Sequence, residues 1–397
     1  MDRVLGEGSA AEAGLSADGL AGVDAALGEL IAAGELAGAS LLIARRGQVV
    51  HRSIQGLKNL ATGEALARDT IFRIYSMTKP VTAAAMMVLW DQGLWSPDDP
   101  IAKHLPEFAD VTVLGGGPPA HAPTMRELMT HTAGLGYGFD PNEPTDAAYI
   151  AVGVWQAGDL AEMMRRLASA PLAYDPGTKW RYSIAMDVQG AIIERLSGQS
   201  LPDFMRERIF SPLGMIDTDF FVPEGKMARL AITYRHSKTK GLVEVDQPLF
   251  GRDATRIPKI ASGGGGLFST LDDYARFAQM LLGKGELGGV RVLSADAVAL
   301  MTANHLPDEL MAGGYGVGHQ PIRPGFGHGF NGAVFVDPAL AGSTVGRGTY
   351  QWDGAAGTWF WIDPENELVF VGLIQRMDER SPGCQALTQM LVAEALG

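Results

Sequence analysis

A single cysteine, Cys384, stands among 397 residues. One thiol excludes an intrachain disulfide and any metal site built on cysteine. Histidine is scarce too: there are eight, scattered without ligand spacing, and no H-E-x-x-H, so neither zinc nor any other cofactor is expected. Positive charge is also in short supply. Lys and Arg number 32 against 45 Asp and Glu, a net charge of −13. That balance argues against a nucleic-acid partner and against an anionic membrane surface. No apolar run reaches the roughly 18 residues that span a bilayer. Residues 1–8 carry no basic stretch followed by an apolar one, so no secretory signal is read and a cytoplasmic location is expected. There is no G-x-S-x-G, hence no sign of an α/β-hydrolase nucleophile elbow.

What is plentiful is glycine, 51 residues, and hydrophobic side chains, 46% of the chain. That is ample for a large core. Ser16 can cap a helix with the apolar stripe Leu20, Val23, Leu27 and Leu30. Residues 39–44 and 48–53 flank Arg45-Arg46-Gly47 and read as strand, turn, strand. From about 101 to 240 proline- and glycine-rich loops separate helical patterns at 125–129, 160–167, 186–196 and 202–210, with no convincing strand. The C-terminal part returns to β character. Residues 333–337 form a short strand, and 358–363 and 368–374 form a hairpin across Pro364-Glu365-Asn366-Glu367. A closing helix runs from Cys384 to Leu396. Both ends thus supply helix and antiparallel strand around a helical insertion. The fold class expected is α+β, a central antiparallel sheet flanked by helices with a mainly helical second lobe. The boundaries read as an α/β lobe of about 1–85 plus 241–397 and a loop-rich helical lobe of about 86–240.

One stretch carries chemistry. Tyr75-Ser76-Met77-Thr78-Lys79-Pro80 leads into the apolar run 81–90. Proline is tolerated in a helix's first turn and not in its interior, so the helix begins at about Ser76. Residues three apart share a helix face, which brings the Lys79 amine to the Ser76 hydroxyl near the positive end of the helix dipole. S-x-x-K recurs by chance on solvated helix faces. Here the flanking run is apolar, and burial is what makes a lysine neutral enough to act as a base.

A serine–lysine pair needs a third group to relay its proton. Tyr182, in Trp180-Arg181-Tyr182-Ser183-Ile184, is the candidate, read as the start of a helix. Between two cationic side chains its pKa would fall and suit it to act as a base. A third stretch, 350–358, ends in small residues whose backbone N–H groups can face a ligand, and one of them paired with that of Ser76 would form an oxyanion hole. Ser262-Gly263-Gly264-Gly265-Gly266 lacks the Lys-Ser or Lys-Thr of a phosphate loop and reads as a tight backbone passage. His131 is expected to make structural hydrogen bonds, and His328, among glycines, has slightly better odds of lining a site.

In this order and spacing, the three stretches resemble the serine β-lactamase and penicillin-binding protein superfamily, in its class C branch, and most closely the family VIII carboxylesterases. The resemblance runs from about 15 to 390. It includes Phe72-Arg73-Ile74-Tyr75 before the serine and Leu128-Met129-Thr130-His131-Thr132-Ala133-Gly134-Leu135. It implies that Ser76 is the acylated nucleophile, Lys79 its proton acceptor, and Tyr182 the proton shuttle. It puts the oxyanion hole at the backbone N–H groups of Ser76 and Ala355, and Trp352, Asp353 and Gly354 at the substrate-binding Lys-Thr-Gly position. Two departures bear on substrate. Tyr-x-Asn has become Tyr182-Ser183-Ile184, and the cationic residue of Lys-Thr-Gly has become Trp352. A carboxylated lactam or peptide would lose its partners, so the expectation is a serine esterase acting on small, short-chain carboxylic esters. A β-lactamase, a D-alanyl-D-alanine peptidase or an acyltransferase would use the same nucleophile. A non-catalytic binding module would have no use for the intact Ser76, Lys79 and Tyr182.

Overall fold

The computed structural model describes residues 5–245, 253–313, 315–317, 320–322, 324–378 and 382–396. Its centre is a nine-stranded sheet: β1 (Gly6–Glu7), β2 (Gly38–Arg45), β3 (Gln48–Asn59), β4 (Glu64–Ala65), β5 (Phe326–Gly329), β6 (Gly332–Phe335), β7 (Tyr350–Asp353), β8 (Trp359–Asp363) and β9 (Leu368–Leu373). The order across it is β1-β3-β2-β9-β8-β7-β6-β5, with β4 on β3. The N- and C-terminal strands therefore meet at β2–β9, where Leu41 faces Gly372 in antiparallel register. One departure from the expected antiparallel sheet is β1, which runs parallel to β3 at the edge. Two residues are too few to show any periodicity in sequence.

Alternation along the strands sends side chains to opposite faces. Leu41, Ile43, Trp359, Trp361 and Phe370 go to one face, beneath α1 (Ala17–Ala32) and the C-terminal helix Cys384–Leu396. The Trp361 and Phe370 rings stack 4.0 Å apart there. Leu42, Ala44, Phe360, Ile362, Val369 and Val371 go to the other face, into one core with α2 (Thr78–Asp91), α3 (Ala185–Ser197) and α4 (Leu271–Leu282). Burial on both faces is why β2 and β9 read as continuous apolar runs. Ser16 caps α1 as expected, accepting from the Gly19 amide at 3.2 Å.

Helix α2 is buried from Thr78 through Leu89. A helix that is apolar all round can only sit inside. Short helices at Met125–Met129 and Leu160–Ala168 appear where the sequence placed them, capped by Thr124 and Asp159. The stretch read as strand-free does hold a strand, Tyr234–Ser237, in a hairpin with Gly241–Glu244. Its four residues are too polar and too few to carry an alternation signal.

Candidate active site

Ser76 sits in a single 3₁₀ turn, Tyr75–Met77, that runs directly into α2. The residue before it, Tyr75, holds φ at 43°, a left-handed conformation that a bulky side chain adopts only under constraint. The turn aims the Ser76 hydroxyl back across the helix start. Tyr182 Oη lies 2.7 Å from Ser76 Oγ, and Lys79 Nζ lies 3.1 Å from it. The three residues thus meet at one oxygen.

Lys79 is wholly buried. Its amine donates to the Gly264 carbonyl at 2.6 Å and to Tyr137 Oη at 3.4 Å. An ammonium has three N–H donors and no lone pair. A neutral amine has two donors, which these two acceptors use, and its lone pair is then left facing Ser76. Burial favours that form, pulling Lys79 down to about 7 against the opposing Asp187 and Asp353 carboxylates. Asp187, on α3, is itself fully buried, and burial raises it. Asp353, at the end of β7, is raised by burial to about 6 and held back by Lys79.

The glycine-rich stretch lies against the first turns of α2. Gly263 O accepts from Thr82 Oγ1 at 2.7 Å, and the Leu267 amide donates to Thr78 Oγ1 at 3.1 Å. A side chain on Gly263 would meet Met186 O at 2.5 Å, so this is the tight passage expected. It also supplies Lys79 with its closest acceptor, which nothing in its sequence advertised.

Tyr182 departs from expectation twice. It lies in an irregular segment just ahead of α3, which starts at Ala185. Its phenol is also pushed well up rather than down: burial dominates and Asp353 adds to it, against the Ser76 hydroxyl. Trp352, where the resemblance would put the second cation, carries no charge, and its ring stands 6.1 Å from that of Tyr182. Among the described residues, Lys79 Nζ is the cation that approaches the Tyr182 ring, at 4.6 Å from its centroid. The surroundings of the Tyr182 hydroxyl therefore favour its neutral form, and burial favours the neutral Lys79 amine.

The segment before α3 is held by His131. Its Nδ1 accepts from the Ser183 amide at 3.1 Å and lies 2.9 Å from Ser183 Oγ, while its carbonyl accepts from the Arg181 amide at 2.9 Å. His131 thus has the structural bonds expected of it. His328, buried, sits against Trp352 and Trp180 with centroids 5.6 and 5.7 Å away. Ile184 is buried in the core, where its side chain is apolar and its amide donates to Gly136 O at 2.9 Å.

Strand β7 delivers the third stretch to the turn that holds Ser76. The Gly354 amide donates to Thr358 O at 2.7 Å, and Thr358 Oγ1 donates to Ile74 O at 3.1 Å, tying the strand end to the residues before Ser76. A Cβ on Gly354 would stand 2.3 Å from both Ile74 O and Thr358 Oγ1. Only glycine lets the strand come this close. Ala355 follows, exposed, in the turn closed by the Gly357 amide on Gly354 O at 2.8 Å. Trp352 is almost fully buried, and Asp353 is partly exposed. Among the described residues, no group of three His, Cys, Asp or Glu stands close enough to hold a metal ion, and no helix is long and apolar enough to cross a membrane.

A family model described as Beta-lactamase matches residues 23–395. The chain is 38% identical to Protein Rv1367c of Mycobacterium tuberculosis, covering 91% of each. It is 34% identical to Esterase EstB of Burkholderia gladioli, covering 85% of this chain and 86% of that one. Among solved structures it resembles EstCE1, described as a hydrolase with promiscuous acyltransferase activity, at a TM-score of 0.81 and 28% identity, covering 96% of this chain and 99% of that one.

Proposed function

The chain belongs to the beta-lactamase family, and from that premise we propose that it is a serine ester hydrolase, of family VIII, that opens short-chain carboxylic esters through an acyl-enzyme on Ser76. The observation that carries this reading is the convergence of Lys79 Nζ and Tyr182 Oη on Ser76 Oγ in a site where Trp352 and Ile184 replace a lysine and an amide. The similarity to Esterase EstB supports it. A cytoplasmic location fits the single, buried Cys384.

Neutral Lys79 takes the Ser76 proton as Oγ attacks the ester carbonyl. The backbone N–H groups of Ser76 and Ala355 hold the resulting oxyanion. Tyr182 passes a proton to the departing alkoxide and is reprotonated from Lys79, so one proton has moved from serine to alcohol. Water then follows the same route in reverse and releases the acid. Trp352 and Ile184 give a substrate carboxylate or amide no partner.

Two measurements test this. An alkyl p-nitrophenyl phosphonate should leave its phosphonyl group on Ser76, with p-nitrophenolate released, and mass spectrometry should find the adduct there. An unlabelled Ser76 would overturn the mechanism. Turnover of a chromogenic cephalosporin far above that of p-nitrophenyl butyrate would overturn the substrate class. Acyl transfer is a second reading, favoured by the similarity to EstCE1. Butyl butyrate formed on adding 1-butanol would reveal it.

The pH dependence follows from Lys79. Its amine accepts a proton only when neutral, so kcat/KM should fall as pH drops through its lowered pKa. Asp187 stabilises the ammonium and works against this. Asp187→Asn removes that pull and should move the acidic limb down by roughly one pH unit. A limb that stays put or moves up would mean that Asp187 does not act on Lys79.

A further inference from the structure

Beyond the catalytic trio, a line of aromatic rings leaves the site. Tyr182 and Tyr137 have ring centroids 5.3 Å apart. Tyr137 stacks on Phe139 at 4.5 Å with 28° between planes, and Phe139 stacks on Trp155 at 5.6 Å and 18°. Tyr137 is 7% exposed, and Phe139, beyond it, is 52% exposed. Its inner end is fixed to the chemistry, since Tyr137 Oη accepts from Lys79 Nζ.

A single exposed apolar ring is ordinary on a protein surface. This one belongs to a loop built to hold it. The buried Asp146 carboxylate accepts from the backbone amides of Tyr137, Phe139 and Asp140 at 3.0, 3.0 and 3.2 Å, and from Arg181 at 3.0 Å. A Cβ on Gly136 would strike Asp146 Oδ1 at 2.3 Å, so the loop closes tightly on this anchor. Arg181 ties the same anchor to the segment that presents Tyr182. The wall and the proton donor are thus positioned together.

We propose that this aromatic line, from Tyr182 through Tyr137 to Phe139, is a binding subsite for the alcohol half of the ester, and that the substrates it favours carry an aromatic ring on that half. The assignment rests on the serine ester hydrolase reading, in which Tyr182 protonates the leaving alkoxide. The alcohol therefore departs on the side from which the rings run outward. The carbonyl oxygen points to the Ser76 and Ala355 amides, and the acyl chain is the carbonyl's remaining substituent, directed away from the departing alkoxide. A flat ring joined to the alkoxide by a short alkyl link can lie against Phe139 by offset stacking.

Three acetyl or ethyl esters separate the possibilities, all with alkoxide leaving groups of similar basicity: 2-(2-naphthyl)ethyl acetate, butyl acetate and ethyl 2-naphthylacetate. The full chain should prefer the first over the second by about tenfold in kcat/KM, through KM, because stacking remote from the carbonyl binds ground and transition states alike. Phe139→Ala should erase most of that ratio, and Phe139→Tyr should restore it. A preference for the naphthyl acyl ester, or a ratio that Phe139→Ala leaves standing, overturns the proposal. Calorimetric binding of 2-(2-naphthyl)ethanol to a Ser76→Ala variant needs no turnover. Binding should weaken about tenfold when Phe139→Ala is added, and equal binding overturns the subsite even in a protein that hydrolyses no ester. Absent turnover with intact, Phe139-dependent binding would instead overturn the hydrolase reading alone.

Discussion

Lys79→Met is expected to lower kcat/KM for ester hydrolysis by about a thousandfold, the scale of a lost general base. Methionine fills nearly the same buried volume without a proton acceptor. The Gly264 carbonyl and Tyr137 hydroxyl lose a donor, which costs about 1–3 kcal/mol for groups left unpaired. Removing a buried amine relieves its own desolvation, so the variant should still fold. Its activity should not return at high pH, because no lysine remains to deprotonate. Phosphonate labelling of Ser76 should slow in parallel. A variant keeping a tenth of the activity would mean that another group takes the Ser76 proton, and Tyr182 would be the one within reach. The raised pKa of that phenol weighs against it.

The environment of Lys79 also marks where sequence reading stopped. The Ser76–Lys79 pair was legible because it is local: one helical turn fixes it whatever the rest of the chain does. The hairpin of β8 and β9 was legible for the same reason, two continuous apolar runs across a polar turn. Tyr137 and Gly264, which set the lysine's hydrogen bonds, lie 58 and 185 residues away in sequence. No spacing relates them to Lys79, since only the closure of the core against α2 brings them there. Asp187 was visible within the tyrosine stretch, a carboxylate among Ile184, Ala185 and Met186. A charge on a helix otherwise bound for the core is a signal that sequence alone offers, and here it stands by the catalytic lysine.

Tyr182 is the converse case. Its position was legible from the motif, but its ionisation was not. The expectation of a lowered pKa required two cations, and among the described residues Lys79 is the one that approaches the ring. On the reading proposed above, Trp352 would both leave a substrate carboxylate without a partner and, with its ring 6.1 Å from that of Tyr182, help to bury the phenol. Buried polar groups complete the picture. Asn331 donates from Nδ2 to the Lys79 carbonyl at 3.0 Å and to Gln189 Oε1 at 2.6 Å, satisfying backbone on the far side of α2. Its left-handed φ of 58° is one that asparagine tolerates better than most residues. Helix α2 is thereby held by Asn331 as well as by the glycine-rich stretch.

Gly354→Ala is expected to lower kcat by about a hundredfold or more, comparable to loss of one oxyanion-hole donor. The added methyl would stand 2.3 Å from Ile74 O and from Thr358 Oγ1. Neither neighbour can yield like the tip of a long side chain, because one is backbone and the other is a short hydroxyl bonded to it. Strand β7 must then retreat from the Ile74–Ser76 turn and carry the Ala355 amide with it. A shift of about an ångström is enough to cost that much rate when the donor must meet a developing charge. Overpacking should also cost about 1–3 kcal/mol of stability, so a second variant is needed to separate the effects. Gly19→Ala puts a methyl 2.7 Å from Ala395 Cα, between α1 and the C-terminal helix and on the opposite face of the sheet. It should lower Tm by a similar amount with kcat of the folded protein intact. Phosphonate labelling should still find Ser76 in the Gly354 variant, only more slowly, because Lys79 and Tyr182 are untouched. If Gly354→Ala and Gly19→Ala lose stability equally and both keep full kcat, the β7 end has no part in holding the oxyanion, and Ala355 must be dropped from the site.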